Sequence, residues 1–170
     1  ITADETLQLT ANVVDQHGNP VSGESITFTP SNGTMGGTFG DVFQPYRTGG
    51  QTVTVTWGTT SVIVNVQVEL GAPTSIELTG CDGTVPAGTE CEITTVLYDQ
   101  FGNVIPLGDA GALSYTVNDG LYSEATSMYF ADTVGTWQFS VTSAIGLSDS
   151  ITIQTGHGQM ASLESVPSAW

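Results

Sequence analysis

The chain has 170 residues, 39% of them hydrophobic and only 11% charged, and its formal charge of −16 comes from 17 acidic residues set against a single basic one, Arg47. A polyanion without lysine has little with which to neutralise phosphates or approach anionic lipid, so nucleic acid and acidic membrane surfaces make poor partners, while cations and basic surfaces remain open. No apolar run reaches the length of a membrane span, and Ile1 opens into a polar, strand-like stretch without a signal sequence, which reads as a mature or excised chain.

In chain order, Leu7, Leu9, Ala11 and Val13 alternate with polar residues, the period of a strand with one buried face. The segment Asp15-Gln16-His17-Gly18-Asn19 follows as a turn, with His17 at an exposed position. Ile26 and Phe28 begin the next strand, and Asn32-Gly33-Thr34 forms a glycosylation acceptor in a predicted turn. Gly36, Gly37, Gly40 and Asp41 read as a glycine-rich turn, since they lack the spacing of glycine-aspartate calcium repeats. Val53, Val55 and Trp57 alternate again, and Val62 to Val68 closes this first series of strands.

The series then repeats. After an opening strand around Thr74 to Thr79, Cys91, Ile93, Thr95 and Leu97 alternate as Leu7 to Val13 do, and Asp99-Gln100-Phe101-Gly102-Asn103 matches the first turn at four of five positions, an offset of 99 − 15 = 84 residues. Leu113 and Tyr115 align with Ile26 and Phe28 at an offset of 87, which places a three-residue insertion within Leu107 to Gly111. Trp137, Phe139 and Val141 answer Val53, Val55 and Trp57, and Ser150 to Gln154 answers the closing strand. Short strands and glycine-bearing turns in this rhythm predict an all-β chain of two tandem antiparallel immunoglobulin-like β-sandwiches. The expected boundaries are 1–71, a domain lacking its first strand; 72–157, a complete domain; and 158–170, an opening strand or donor strand. Thr74 to Thr79 has no equivalent ahead of Ile1, whereas Ser162-Leu163-Glu164 repeats Ser75-Ile76-Glu77. The segment Ala161, Ser162, Leu163, Glu164, Ser165, Val166 is thus a donor-strand candidate.

Leu9 to Phe28, with Asp15, Gly18, Asn19, Pro20, Val21, Gly23, Ile26 and Phe28, resembles the bacterial immunoglobulin-like repeats of invasin and intimin type adhesins. The second copy keeps Asp99, Gly102 and Asn103 but has Val104 in place of the proline, and looks like a more distant relative of repeats in surface-layer and adhesin proteins. The resemblance implies an extracellular, cell-surface chain of stacked spacer domains.

The residues themselves point away from catalysis. His17 and His157 have no partner at zinc spacing, and no serine elbow, P-loop or paired-carboxylate motif is present. Asp15 and Asp99 read as turn residues, their carboxylates accepting backbone N–H groups while Gly18, Asn19, Gly102 and Asn103 supply unusual backbone conformations. Cys81 and Cys91, ten residues apart, suit a strand-to-strand disulfide, which implies an oxidising compartment, with a reactive thiol pair as the lesser alternative. No cofactor is expected; Glu69, Asp82 and Asp149 are weak calcium candidates beside the plainer reading of a solvated acidic face. Lysine–asparagine isopeptide bonds are ruled out by the lack of lysine.

Three functions compete: a structural spacer, a filament subunit whose terminal strand completes domain one of the next copy, and a carbohydrate- or ligand-binding module using Tyr46, Trp57, Tyr122, Tyr129 or Trp170 as stacking platforms, although most of these aromatics read as core or edge residues. The corresponding partners are neighbouring immunoglobulin-like domains, other copies of the chain, or a glycan.

Overall fold

The computed structural model describes residues 1–23 and 25–159. The first elements are β1 (Leu7–Gln8), β2 (Ile26–Pro30), β3 (Thr34–Gly36), β4 (Val42–Gln44), β5 (Gly49–Trp57) and β6 (Thr60–Val68). They form two antiparallel three-stranded sheets, in the orders β1-β4-β3 and β2-β5-β6. Alternating side chains from both sheets bury Phe43 and Val53 completely, beside Ala3, Val66 and Val68, with Phe28 and Met35 packed against them. The start of the chain is tied to the end of β6 through a parallel bridge between Thr2 and Glu69.

The second series runs β7 (Ser75–Gly80), β8 (Thr84–Pro86), β9 (Thr89–Tyr98), β10 (Val104–Ile105), a 3₁₀ turn at Leu107–Ala110, β11 (Leu113–Val117), β12 (Leu121–Ser123), β13 (Met128–Ala131), β14 (Gly135–Ser143) and β15 (Ser148–Gly156). Apart from that 3₁₀ turn, every element among the described residues is a strand, as the alternating pattern predicts. One sheet carries β9, β13 and β12, with β7 also paired to β9, and the other has the order β11-β14-β15-β8, in which only the β15–β8 pair is parallel. Phe139 is fully buried here, ringed by Tyr122 at 4.8 Å, Tyr115 at 5.8 Å and Tyr129 at 6.4 Å between centroids. Such tilted and edge-on pairs add favourable quadrupole contacts to the apolar area they bury.

The chain separates into two compact units, one of Ile1–Thr74 with Tyr98–Ile105 and the other of Ser75–Leu97 with the described residues from Pro106 onward. The turn of the second repeat therefore groups with the first unit. The three-residue insertion falls on the 3₁₀ turn, where it lengthens a connection without disturbing a ladder.

The largest departure from the sequence expectation lies at Leu7–Val13. Its alternation is kept as burial, with Leu7, Leu9, Ala11 and Val13 half-buried and the residues between them exposed, yet only Leu7–Gln8 is paired as a strand. Its equivalent, β9, runs ten residues and has β7 on one side and β13 on the other. Among the described residues the first unit has no counterpart of β7, and a strand without a neighbour on one edge has little ladder to join. The glycine-rich turn is also more ordered than its composition suggests, because it joins β3 to β4 as a hairpin.

Candidate functional site

The two repeated turns share one hydrogen-bond pattern. Asp15 Oδ1 accepts the main-chain N–H of His17 at 2.8 Å and of Asn19 at 2.9 Å, and Asn19 Nδ2 donates to Asp15 Oδ2 at 3.0 Å. Asp99 Oδ1 likewise accepts from Phe101 and Asn103 N–H, both at 2.9 Å, and Asn103 Nδ2 donates to Asp99 Oδ2 at 2.7 Å. Gly18 and Gly102 sit at φ 84° and 79°, where a side chain would be strained. Each carboxylate thus closes its own loop, a local arrangement that depends on five consecutive residues.

Their surroundings differ. Asp15 is exposed, whereas Asp99 retains 3% of its accessible surface. Asn103 Nδ2 also donates to the Tyr46 carbonyl at 2.9 Å, and the Phe101 ring lies 4.8 Å from the Tyr46 ring. Burial alone pushes the Asp99 carboxyl up, but bonds from the Asn103 side chain and from the N–H groups of Asn103, Phe101 and Gly71 outweigh it and hold it below the ordinary aspartate value. Asp15 is lowered by its bonds from the Asn19 side chain and backbone and from His17. Beside Gly71, Asp4 accepts the Thr2 hydroxyl at 2.5 Å and the Ala72 N–H at 3.2 Å, bonds that lower its pKa too. Two carboxylates, Asp4 and Asp99, therefore grip the consecutive main-chain groups at 71 and 72 that follow β6. Sequence reasoning missed Asp4, whose only signal is a carboxylate two residues after a threonine.

Cys81 and Cys91 are joined by a disulfide with Cα atoms 5.2 Å apart. Gly80 and Cys81 both have positive φ, 119° and 52°, which turns the end of β7 so that Cys81 faces β9. Asn32 is half-buried in the turn between β2 and β3, and its Oδ1 has no hydrogen-bond partner among the described residues. Of the calcium candidates, Asp149 Oδ2 accepts the Leu78 N–H at 2.8 Å, Glu69 pairs with Ile1 and Ala3 through its main chain, and Asp82 is exposed. Among the described residues no three His, Cys, Asp or Glu side chains gather as a metal set.

The aromatic candidates among the described residues are largely taken up in packing. Tyr129 is 1% exposed and donates its hydroxyl to the Asp119 carbonyl at 2.9 Å, Tyr122 lies between Tyr115 and Phe139, and Tyr46 faces Phe101. Trp57 is half-buried at the end of β5. Trp170 and the donor-strand candidate Ala161–Val166 lie outside the described residues. His17 and His157 are exposed, and no helix among the described residues is long and apolar enough to cross a membrane.

No protein-family model matches the chain, and no curated protein does. Among solved structures, domains 4 and 5 of the S-layer protein SbsC align at 21% identity over 88% of this chain and 82% of that one, with a TM-score of 0.39. The Yersinia pseudotuberculosis adhesin InvE aligns at 12% identity over 94% of this chain and 60% of its own length, TM-score 0.43. A C-terminal 282-residue intimin fragment, solved with the intimin-binding domain of its translocated receptor, aligns at 14% over 90% and 58%, TM-score 0.36. These structural neighbours are surface-layer and adhesin domains. The chain spans about three fifths of the two adhesin structures.

Proposed function

We propose that the chain is a non-catalytic structural segment of an extracellular surface protein, in which repeated β-sandwich units act as a spacer. The observation that carries this reading is the use of its most distinctive carboxylates. Asp15, Asp99 and Asp4 are taken up by N–H and hydroxyl donors of their own neighbourhood rather than held ready for a substrate. A role in holding backbone is what such bonding supports. The Cys81–Cys91 disulfide supports an oxidising location, and the large acid excess supports solubility at high local density.

The test is surface labelling of the producing cells with antibody raised against the chain. Staining of intact cells, removed by brief external proteolysis, is the expected result. Staining that requires permeabilisation would overturn the assignment. Mechanical pulling of the purified chain should show separate unfolding steps for the two units, the second shortened by the loop that the disulfide closes.

A further inference from the structure

Each unit has a groove at the same place in the repeat, and the second unit has changed what lines it. In the first unit a groove of about 580 Å³ is bordered by Leu9, Ala11, Ile26 and Phe28. In the second, the equivalent residues Ile93, Thr95, Leu113 and Tyr115 border a groove of about 300 Å³. The repeat offsets, 95 − 11 = 84 and 115 − 28 = 87, set Thr95 where the first unit has Ala11 and Tyr115 where it has Phe28. Two apolar positions have thus become hydroxyl-bearing. The insertion particular to the second copy reaches the same groove, because Leu107 of the 3₁₀ turn lines it and is 39% exposed. Substitution and insertion converge on one place.

The hydroxyls there form a chain. Thr95 Oγ1 and the Tyr115 hydroxyl lie 3.2 Å apart, and the Tyr122 hydroxyl bonds to the side chains of both Tyr115 and Ser127. Ser127 stands at φ 58°, a conformation that glycine adopts without strain, so its hydroxyl is placed in the groove against a backbone cost. Burial, together with the neighbouring Tyr115 and the Glu124 carboxylate, pushes the Tyr122 phenol above its ordinary value, although the Ser127 bond pulls the other way. The phenol therefore keeps its proton at neutral pH. Each hydroxyl carries one hydrogen and two lone pairs, so a chain of hydroxyls bonded to one another is left with a surplus of acceptors. Glu92 and Glu124, both exposed, also line the groove and add only acceptors. The second unit contains no lysine or arginine, since Arg47 lies in the first, so these carboxylates have no such partner in their own unit.

A ligand suited to this groove carries positive charge and hydrogens to donate. We propose that the groove receives a lysine side chain of a basic partner protein, its ammonium set among the hydroxyls of Thr95, Tyr115, Tyr122 and Ser127 and beside Glu124. An ammonium donates three hydrogens, accepts none and is compact enough to be surrounded, whereas a guanidinium is matched by a planar carboxylate fork. Leu107 and Leu113 line the groove and suit the methylene stem. The formal charge of −16 draws a basic surface toward the chain before contact. A metal ion is served less well, since no three His, Cys, Asp or Glu side chains gather as a metal set among the described residues. The tyrosine rings stay packed on each other and on Phe139, so the groove offers their hydroxyls rather than their faces. A partner-binding role goes beyond that of a spacer and does not depend on it.

Nuclear magnetic resonance titration of the isotope-labelled full chain tests this. The probe is a Gly-Lys-Gly tripeptide blocked at both ends, compared with the same peptide carrying acetyl-lysine or arginine and with n-butylamine. The lysine peptide should shift the signals of Thr95, Tyr115, Tyr122 and Ser127 saturably and leave those of Ala11 and Phe28 in place. Acetylation should weaken binding at least tenfold, and arginine at least threefold. Glu124→Gln, a change at an exposed residue that leaves the core alone, should weaken it at least fivefold. The double variant Thr95→Ala, Tyr115→Phe, which carries the residues of the first unit, should do the same. Glu77→Gln, which removes an equal charge outside the groove, should leave binding unchanged. No saturable shift up to about 10 mM peptide overturns the proposal. So do shifts scattered over the acidic surface, equal binding of the acetylated peptide, or full affinity in Glu124→Gln or the double variant. Tighter binding of n-butylamine than of the lysine peptide would overturn the protein partner in favour of a free amine. Surface labelling reads where the chain sits and not what this groove holds, so the spacer role and the lysine site fail separately.

Discussion

Replacing Asp99 by alanine removes an acceptor that serves three donors within 2.9 Å, in a residue with 3% of its surface exposed. Net bonds to a charged group contribute about 1.5–3 kcal/mol each, and a buried donor left unsatisfied costs a similar amount. These losses overlap, since Asn103 supplies two of the donors and can turn its amide elsewhere, so about 3 kcal/mol is the expected cost. For a unit of this size that is a fall in melting temperature on the order of 12 °C or more. Asp99→Asn keeps an oxygen for the Phe101 and Asn103 N–H groups but turns an amide toward Asn103 Nδ2, so its loss is intermediate. Asp15→Ala removes the same pattern from an exposed turn, where water replaces the acceptor, and its loss is the smallest of the three. Differential scanning calorimetry at pH 7 reads the series, with urea titration as the second measure. Equal losses for Asp99→Ala and Asp15→Ala, or less than about 1 kcal/mol for the former, would refute the claim that burial makes the second turn the stronger one. The carboxyl is held below its ordinary value in the folded chain. Its contribution is therefore complete above the unfolded-state pKa near 4 and is lost as pH falls through the lower folded value. The stability gap between the native chain and Asp99→Asn should be constant from about pH 5 to 8 and shrink below about pH 4.

Opening the disulfide with Cys81→Ser and Cys91→Ser frees a ten-residue loop and should lower stability by about 3 kcal/mol on the chain-entropy model, with the calorimetric transition of the second unit moving more than that of the first. Gly33→Ala and Gly80→Ala each place a Cβ against a carbonyl oxygen, of Gln44 and Glu92 respectively, at positive φ, and should cost about 2–4 kcal/mol. Gly18→Ala meets open space at positive φ and should cost about 1–2 kcal/mol by the same urea titration. Phe139→Ala empties the middle of the tyrosine cluster and should cost about 3–5 kcal/mol, with loss of near-ultraviolet circular dichroism from the surrounding rings.

Much of this protein is legible in its sequence because the relevant forces act over a few residues or repeat at a fixed interval. The alternation of Leu7, Leu9, Ala11 and Val13 with polar neighbours determines which side chains turn inward, and the structure keeps that alternation even where no ladder forms. The bonding of Asp15 and Asp99 to residues two and four positions ahead is equally local. Short strands such as β3, β12 and β13 were not legible, since three or four residues carry too little periodicity to stand out and are set by the strands beside them.

Local sequence alone thus determined the all-β character, the repeat and the turn chemistry. Tertiary structure decided what each repeated piece does. Asp99 is buried and grips the main chain at Gly71, while the same turn at Asp15 stays in solvent. Bonding within a turn needs only the five residues of that turn. Strand pairing and burial need a neighbour from elsewhere in the chain, and β9 has β7 where Leu7–Val13 has none among the described residues. Identical local patterns therefore reach different ends according to what lies across from them.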